Sequence, residues 1–445
     1  MGPNKGGDAV IDLAAFRLSY FETESSMLGK RGAIGTGKAW RCMKGSLASI
    51  LGVPGANDHL KGWPGSHADM LQARVEHARS RSLDWMRGLH AQDEPRGVSR
   101  LSAAHDAVRW PGMLLPATAH AVLLQKLFGE IIHLRGQDRA ALVAWFEQAR
   151  RPDGLFRIDG MTPETIFKKP DLDETWRYIG LQNTSLCLAA IEALDPIRHP
   201  RLELADPWLD PVILKAWLGE RDLREPLIEA ETIANLAALL LARQRHGSSD
   251  ARQGAKAGLA VILAWLERTQ EPMSGFWGVG QTLSATRILQ AMTGAAGLFQ
   301  LFHAARREPP FQERAVDYAL SLSPPKILSA VSDAALVDIL AHAAGASEHR
   351  RAAIDQLLAR MLDALLDYQN QDGGFPDLRS GAWKQDAWFD GYEEKQGVSN
   401  MAASFLRWWA IALICERLWP GWKTWSFRRS PGPGFRAEML GQKPG

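Results

Sequence analysis

The chain has 445 residues, 46% of them apolar and 23% charged, and a net charge of +2. That is ample for a large core and gives no ground for a nucleic-acid or acidic-surface partner. Cys42, Cys187 and Cys415 lie far apart with no Cys-x-x-Cys pair, which argues against a disulfide framework and a thiolate zinc site and reads as a reduced, cytoplasmic protein.

Residues 1–66 read as an N-terminal extension. No apolar segment of the signal-peptide kind follows Met1–Lys5. A helix is expected over 8–24. Gly32–Lys38 imitates a phosphate loop, but Ala39 stands where Ser or Thr would bind magnesium, and a flexible basic loop is the expectation.

From residue 67 a repeat takes over. An amphipathic run ends in Gln369-Asn370-Gln371, breaks at Asp372-Gly373-Gly374 and is followed by Phe375. Copies stand at Trp85–Gly97, at Trp145–Phe156 and at Trp265–Trp277. Degenerate copies fit at Leu214–Gly219 and Val316–Pro325. The period is roughly fifty to sixty residues, the length of a helical hairpin with its connections. Outer helices are expected at 69–91, 137–150, 208–218, 253–269, 311–322 and 349–369. Inner helices are expected at 113–133, 181–194, 228–245, 283–304, 330–344 and 398–418. The second set is apolar around most of its circumference, as in Ile228–Arg245, and such helices are buried. His349–Tyr368 instead shows one apolar stripe, as an outer helix requires. Strand signals are nearly absent. Ser332-Asp333 and Ser399 read as helix caps. Each repeat glycine is expected to end an outer helix in the left-handed region, with the next aromatic packed between hairpins. Six hairpins can close on themselves and leave neither end of the array uncovered. The expected fold is all-α, an (α/α)6 toroid over 67–420.

Gln369–Phe375 is similar to the QW motif (Q-x-x-D-G-G-W) of squalene–hopene cyclases, and the copies near Gly154 and Gly275 resemble it more loosely. The chain thereby resembles the terpenoid-cyclase/prenyltransferase toroid superfamily over about 68–420. The resemblance implies a barrel lined by inner helices and a lyase or isomerase acting on a hydrophobic isoprenoid by acid-initiated carbocation chemistry. Class II cyclases of that superfamily carry D-x-D-D. Asp171-Leu172-Asp173-Glu174 matches it in part, with Glu in the last place, so the resemblance makes Asp173 the proton donor and Asp171 and Glu174 its neighbours. Paired carboxylates raise one pKa and retain a proton. Solvated carboxylates at a helix start are the alternative. Asp338, in an apolar helix, is the second candidate acid. The zinc ligands of the prenyltransferase branch and the D-D-x-x-D magnesium string of class I synthases have no counterpart, so neither metal nor cofactor is expected.

Trp383–Glu394 gathers acids and aromatics before the last inner helix, including Asp386, Trp388 and Tyr392. Trp110, Trp176, Tyr178 and Trp277 stand at equivalent connections, so all are candidate substrate-binding residues at one mouth. Aromatic faces stabilise carbocations and also stack on sugars. A carbohydrate-active toroid (a hydrolase, lyase or epimerase) is therefore the alternative, with inner histidines such as His120, His303 and His342 as candidates; a non-catalytic binding toroid is the third reading. The segment 421–445 is aromatic and basic. It is expected to pack back on the barrel, with contact to a membrane surface as the other reading.

Overall fold

The structure is a computed structural model. It describes residues 65–158, 172–198, 201–221, 223, 225–280, 285–322, 327–379, 383–385, 392–422 and 425, with backbone alone at 65–67, 172–177, 285–286 and 383–385. Gly32–Lys38, the helix expected over 8–24 and the tail beyond Trp425 lie outside the described residues.

The fold is all-α. The α-helices among the described residues are α1 (Gly65–Arg87), α2 (Leu114–Leu127), α3 (Gly136–Gln148), α4 (Leu172–Leu194), α5 (Pro211–Gly219), α6 (Pro226–His246), α7 (Ser249–Thr269), α8 (Ala285–Ala304), α9 (Gln312–Leu322), α10 (Ala330–Ala346), α11 (Arg351–Asp367) and α12 (Met401–Leu418). They alternate in character, as the apolar patterning anticipates. The even-numbered helices are buried along most of their length, and α10 and α12 bury both flanks. The odd-numbered helices α7 and α11 bury one stripe and expose the other side. Among the buried set, α2 packs on α4, α4 on α6, α6 on α8, α8 on α10, α10 on α12, and α12 again on α2. Against them lie α3 on α4, α7 on α6, α9 on α10 and α11 on α12.

One turn recurs between an odd helix and the next even one. Gly97, Gly154, Gly275 and Gly373 all have positive φ, as expected, but they do not end the helices: α3, α7 and α11 are capped earlier, by Ala149, Gln270 and Tyr368. Before each glycine a backbone N–H closes the loop onto the carbonyl of the residue after it: Ala91 onto Val98, Arg151 onto Leu155, Glu271 onto Phe276 and Asn370 onto Gly374, each at 2.9 Å. Two residues after the glycine, in three of the four copies, the backbone N–H donates to a hydroxyl on the next buried helix. These bonds are Ser99 to Thr118 (3.0 Å), Phe156 to Thr184 (2.9 Å) and Phe375 to Ser404 (2.9 Å). The motif glutamine fastens the turn: Gln270 and Gln369 each donate from Nε2 to the turn glycine's carbonyl at 2.8 Å. Gln369 also donates to Ala78 O and Ser82 Oγ of α1, and Gln270 accepts from Phe311 N just before α9. The Gly275 turn thus reaches the start of α9, and the Gly373 turn grips α1. The start of α12 completes the seam, with Met401 N donating to Leu101 O at 2.8 Å.

Three expectations need correction. The copy at Leu214–Gly219 has no left-handed glycine, because α5 runs through Gly219 and is capped by Glu220 at φ −91°. The segment before the last helix holds a short antiparallel pair, β1 (Trp383–Gln385) and β2 (Glu393–Lys395), with Lys384 opposite Glu394. The caps shift slightly: Ser329 caps α10, and Asn400 caps α12 through Ala402 N and Ala403 N. Asp333 instead forms a buried pair with Arg407 of α12 at 2.7 Å. Beyond α12, Trp425 is buried against Phe128 and Trp408.

Gly129 and Gly373 separate two costs. Both have positive φ, but a Cβ on Gly129 meets nothing within 4 Å, whereas one on Gly373 would lie 2.3 Å from Arg81 O. Gly129→Ala is expected to cost about 1–2 kcal/mol, the left-handed penalty alone. Gly373→Ala is expected to cost about 2 kcal/mol more, because a packed backbone must move. Equal urea midpoints for the two variants would contradict this account of the turn.

Candidate functional site

Residues in the middle of the buried helices have little reason to meet solvent. Gln182, Glu231, Asn235 and Leu406 nevertheless keep partial exposure. On α4 the hydroxyl that receives the glycine turn belongs to Thr184, and on α12 to Ser404. Gln182 and Leu406 are each two positions away, about 200° around an α-helix. Their exposed side is therefore the one turned away from the glycine turns.

Three of these four residues are polar, and they form one group. The Tyr178 hydroxyl donates to Glu231 Oε2 at 2.7 Å, and Gln182 Nε2 approaches the same oxygen at 3.4 Å. Asn235 Nδ2 donates to the Glu231 main-chain carbonyl at 2.8 Å. Glu231 and Asn235 are one turn apart on α6, and Tyr178 and Gln182 one turn apart on α4. Both contacts fall on Oε2, and the Glu231 residue keeps partial exposure. Such a group can take or deliver a proton at a substrate atom.

A second polar group lies between α8 and α10. Gln300 Nε2 donates to Asp338 Oδ2 at 2.9 Å. His342 Nδ1 lies 2.8 Å from the Asp338 main-chain carbonyl and 2.9 Å from Asp338 Oδ1. His303 stacks on His342 with ring centroids 4.5 Å apart. Asp338 is 1% exposed. Burial alone would raise its carboxyl pKa, but His342 and the hydrogen bond from Gln300 outweigh it and hold the group below the ordinary carboxylate range. Asp338 is therefore ionised at neutral pH.

The other sequence candidates fall in different places. Trp110 and Tyr392 do come together, edge to face at 5.7 Å. The Tyr392 hydroxyl donates to Glu394 Oε1 at 2.5 Å, and Ser102 Oγ donates to the same oxygen at 3.2 Å. Beside them His105 Nε2 meets Trp110 O at 3.0 Å, and burial lowers the His105 pKa. Trp277 is 1% exposed; its indole N–H donates to Leu266 O and its ring packs on Phe299 and Phe302. It is a packing group within the core, with no free face to offer a ligand. Tyr178 belongs to the Glu231 group. Asp173, Glu174 and Trp176 lie in the first turns of α4, where only the backbone is described. Asp171, Asp386 and Trp388 lie outside the described residues. Among the described residues no cluster of three or more His, Cys, Asp or Glu is arranged to hold a metal, and no helix is long and apolar enough to cross a membrane.

Sequence reasoning missed Glu231, Gln182, Asn235 and Gln300. The available signal was polar residues at helical spacing inside otherwise apolar helices, with Glu231 and Asn235 at i and i+4.

His120 on α2 gives a pH test. It is buried against Phe405, its Nδ1 donates to Pro116 O at 2.7 Å, and burial lowers its pKa to about 4. The unfolded chain binds this proton below about pH 6.5, and the folded protein only near pH 4. Stability is therefore full above about pH 6.5 and falls as the pH drops to about 4, by about 3 kcal/mol. His120→Gln is expected to flatten that part of the pH profile in urea unfolding; an unchanged slope would mean that His120 is not its source. In comparisons with known proteins, no family model, curated protein or solved structure matches the chain.

Proposed function

We propose that the protein is an (α/α)6 toroid whose inner helices enclose a site for proton-transfer chemistry on a polar, carbohydrate-like small molecule. The six even-numbered helices would form the inner wall, and α1, α3, α5, α7, α9 and α11 the outer one. The cyclic order of neighbours and the grip of the last glycine turn on α1 support this architecture. The single observation that carries the chemistry is Glu231: a carboxylate within a buried helix that keeps partial exposure and has one oxygen held by Tyr178. A lone carboxylate beside a phenol suits epimerisation or elimination. Glycoside hydrolysis calls on two carboxylates that flank one bond. Gln182 and Asn235 would orient substrate hydroxyls, since amides both donate and accept.

The isoprenoid reading is the second one. It rests on the Asp171–Glu174 string, which straddles the start of α4 and stands one turn before Tyr178. A helix N-terminus favours negative charge, which works against a carboxyl kept protonated there. The polar Glu231 group is also a poor lining for a hydrocarbon chain.

The test is turnover. Purified protein is incubated with oligosaccharides and uronides, read by NMR for epimerised or unsaturated products, and in parallel with squalene and an isoprenoid diphosphate. The expected result is a sugar product, lost by about 10²–10⁴ in Glu231→Gln with unchanged melting. Conversion of isoprenoids alone, or full turnover by Glu231→Gln, would overturn the proposal. Absence of any turnover together with saturable sugar binding would make the toroid a binding protein.

A further inference from the structure

The group between α8 and α10 has a chemical bias that the site around Glu231 does not explain. A carboxylate can only accept hydrogen bonds, so the Gln300 amide must present its nitrogen to Asp338, which turns Oε1 away as an acceptor. His342 places Nδ1 against the Asp338 carbonyl, an acceptor, so Nδ1 carries a proton, and in the neutral imidazole Nε2 is left with a lone pair. Gln300 Oε1 and His342 Nε2 have no hydrogen-bond partner, and their residues are 2% and 5% exposed. Asp338 Oδ1 has the imidazole at 2.9 Å but no well-aligned donor. Two adjoining helices therefore bury two acceptor atoms of one connected group, Gln300 Oε1 and His342 Nε2, without a donor, and a third, Asp338 Oδ1, met only by the imidazole. Leaving such atoms without partners is costly and is not what a purely structural cluster would be expected to tolerate.

We infer that Gln300, Asp338 and His342 form a subsite for a hydrogen-bond-donating ligand group, either a hydroxyl of a polyol or an alkylammonium. The negative charge on Asp338 strengthens bonds from either donor. His303, stacked on His342 and partly exposed, forms the side nearest solvent. The subsite stands on these residues alone and does not depend on Glu231 being catalytic.

The test uses side-chain ¹⁵N NMR of the full-length protein. In the free protein His342 is expected to be the Nδ1–H tautomer; an Nε2–H tautomer would refute the assignment before any ligand is added. Methyl α-D-glucopyranoside and ethylammonium are then titrated separately. A saturable shift of the His342 Nε2 resonance with the glucoside supports a hydroxyl donor, and with ethylammonium a cationic donor. Affinity for the active probe is expected to fall about tenfold or more in Asp338→Asn and Gln300→Leu. Should Gln300→Leu fail to fold, Asp338→Asn, which keeps the shape, decides. No shift with either probe at 100-fold molar excess, or unchanged affinity in Asp338→Asn, would overturn the inference. Loss of turnover in Glu231→Gln with this binding intact would leave the subsite standing while the catalytic proposal is judged separately.

Discussion

The structure depends on a backbone turn that only glycine can make at this spacing. An odd-numbered helix must stop, reverse and hand the chain to its buried partner while lying against the next odd-numbered helix. Gly275 and Gly373 combine positive φ with direct backbone approach: a Cβ would fall 2.3 Å from Ala315 N in the first case and 2.3 Å from Arg81 O in the second. Because the contacting atoms are backbone, they cannot yield by changing rotamer. The glutamine before each of these two turns then converts proximity into hydrogen bonds, and after Gly373 the hydroxyl of Ser404 on the following helix receives the exit. Local conformation and long-range packing are therefore set by the same few residues, the kind of agreement between levels that makes a fold specific.

Most of this was legible in the sequence because glycine, glutamine and aromatic residues each have one reason to recur at such positions. Helix extents followed from apolar periodicity, which burial enforces. The failures have physical causes. Leu214–Gly219 carried the glycine but not the conformation, because a glycine at a helix end can stay helical. The β1–β2 pair was invisible because three-residue strands bear no periodic signal. Trp277 looked like a binding residue since indole serves cores and ligands alike; only its burial and its bond to Leu266 O distinguish them. Glu231 was passed over because a single acid in a long apolar helix is read against its neighbours in sequence, whereas its role is set by Tyr178 on another helix.

Two buried acids on α10 sit in hydrogen-bond networks of different completeness. Asp333 meets Arg407, whose remaining donors reach the carbonyls of Leu328, Pro376 and Asp377, and whose guanidinium lies over Tyr368 at 4.5 Å. That network is closed, and it ties α10 to α12 and to the segment leading into it. Asp338, five residues on, is held by Gln300 and His342, yet its group retains acceptors without donors. A satisfied charge rigidifies its surroundings, while an incompletely satisfied one is prepared to meet something else.

The seam between the first and last turns carries a kinetic consequence. Ser82 donates to Gly373 O across 291 positions of sequence, and Gln369 reaches back just as far to Ala78. Every other junction joins helices that are near neighbours along the chain and can assemble as they are made. The seam cannot, because loop-closure entropy delays contacts between distant segments. During synthesis the flank of α2 that will meet α12 stays bare until nearly the whole chain has left the ribosome. The nascent protein thus spends much of its translation with that apolar flank uncovered, an interval of exposure to aggregation.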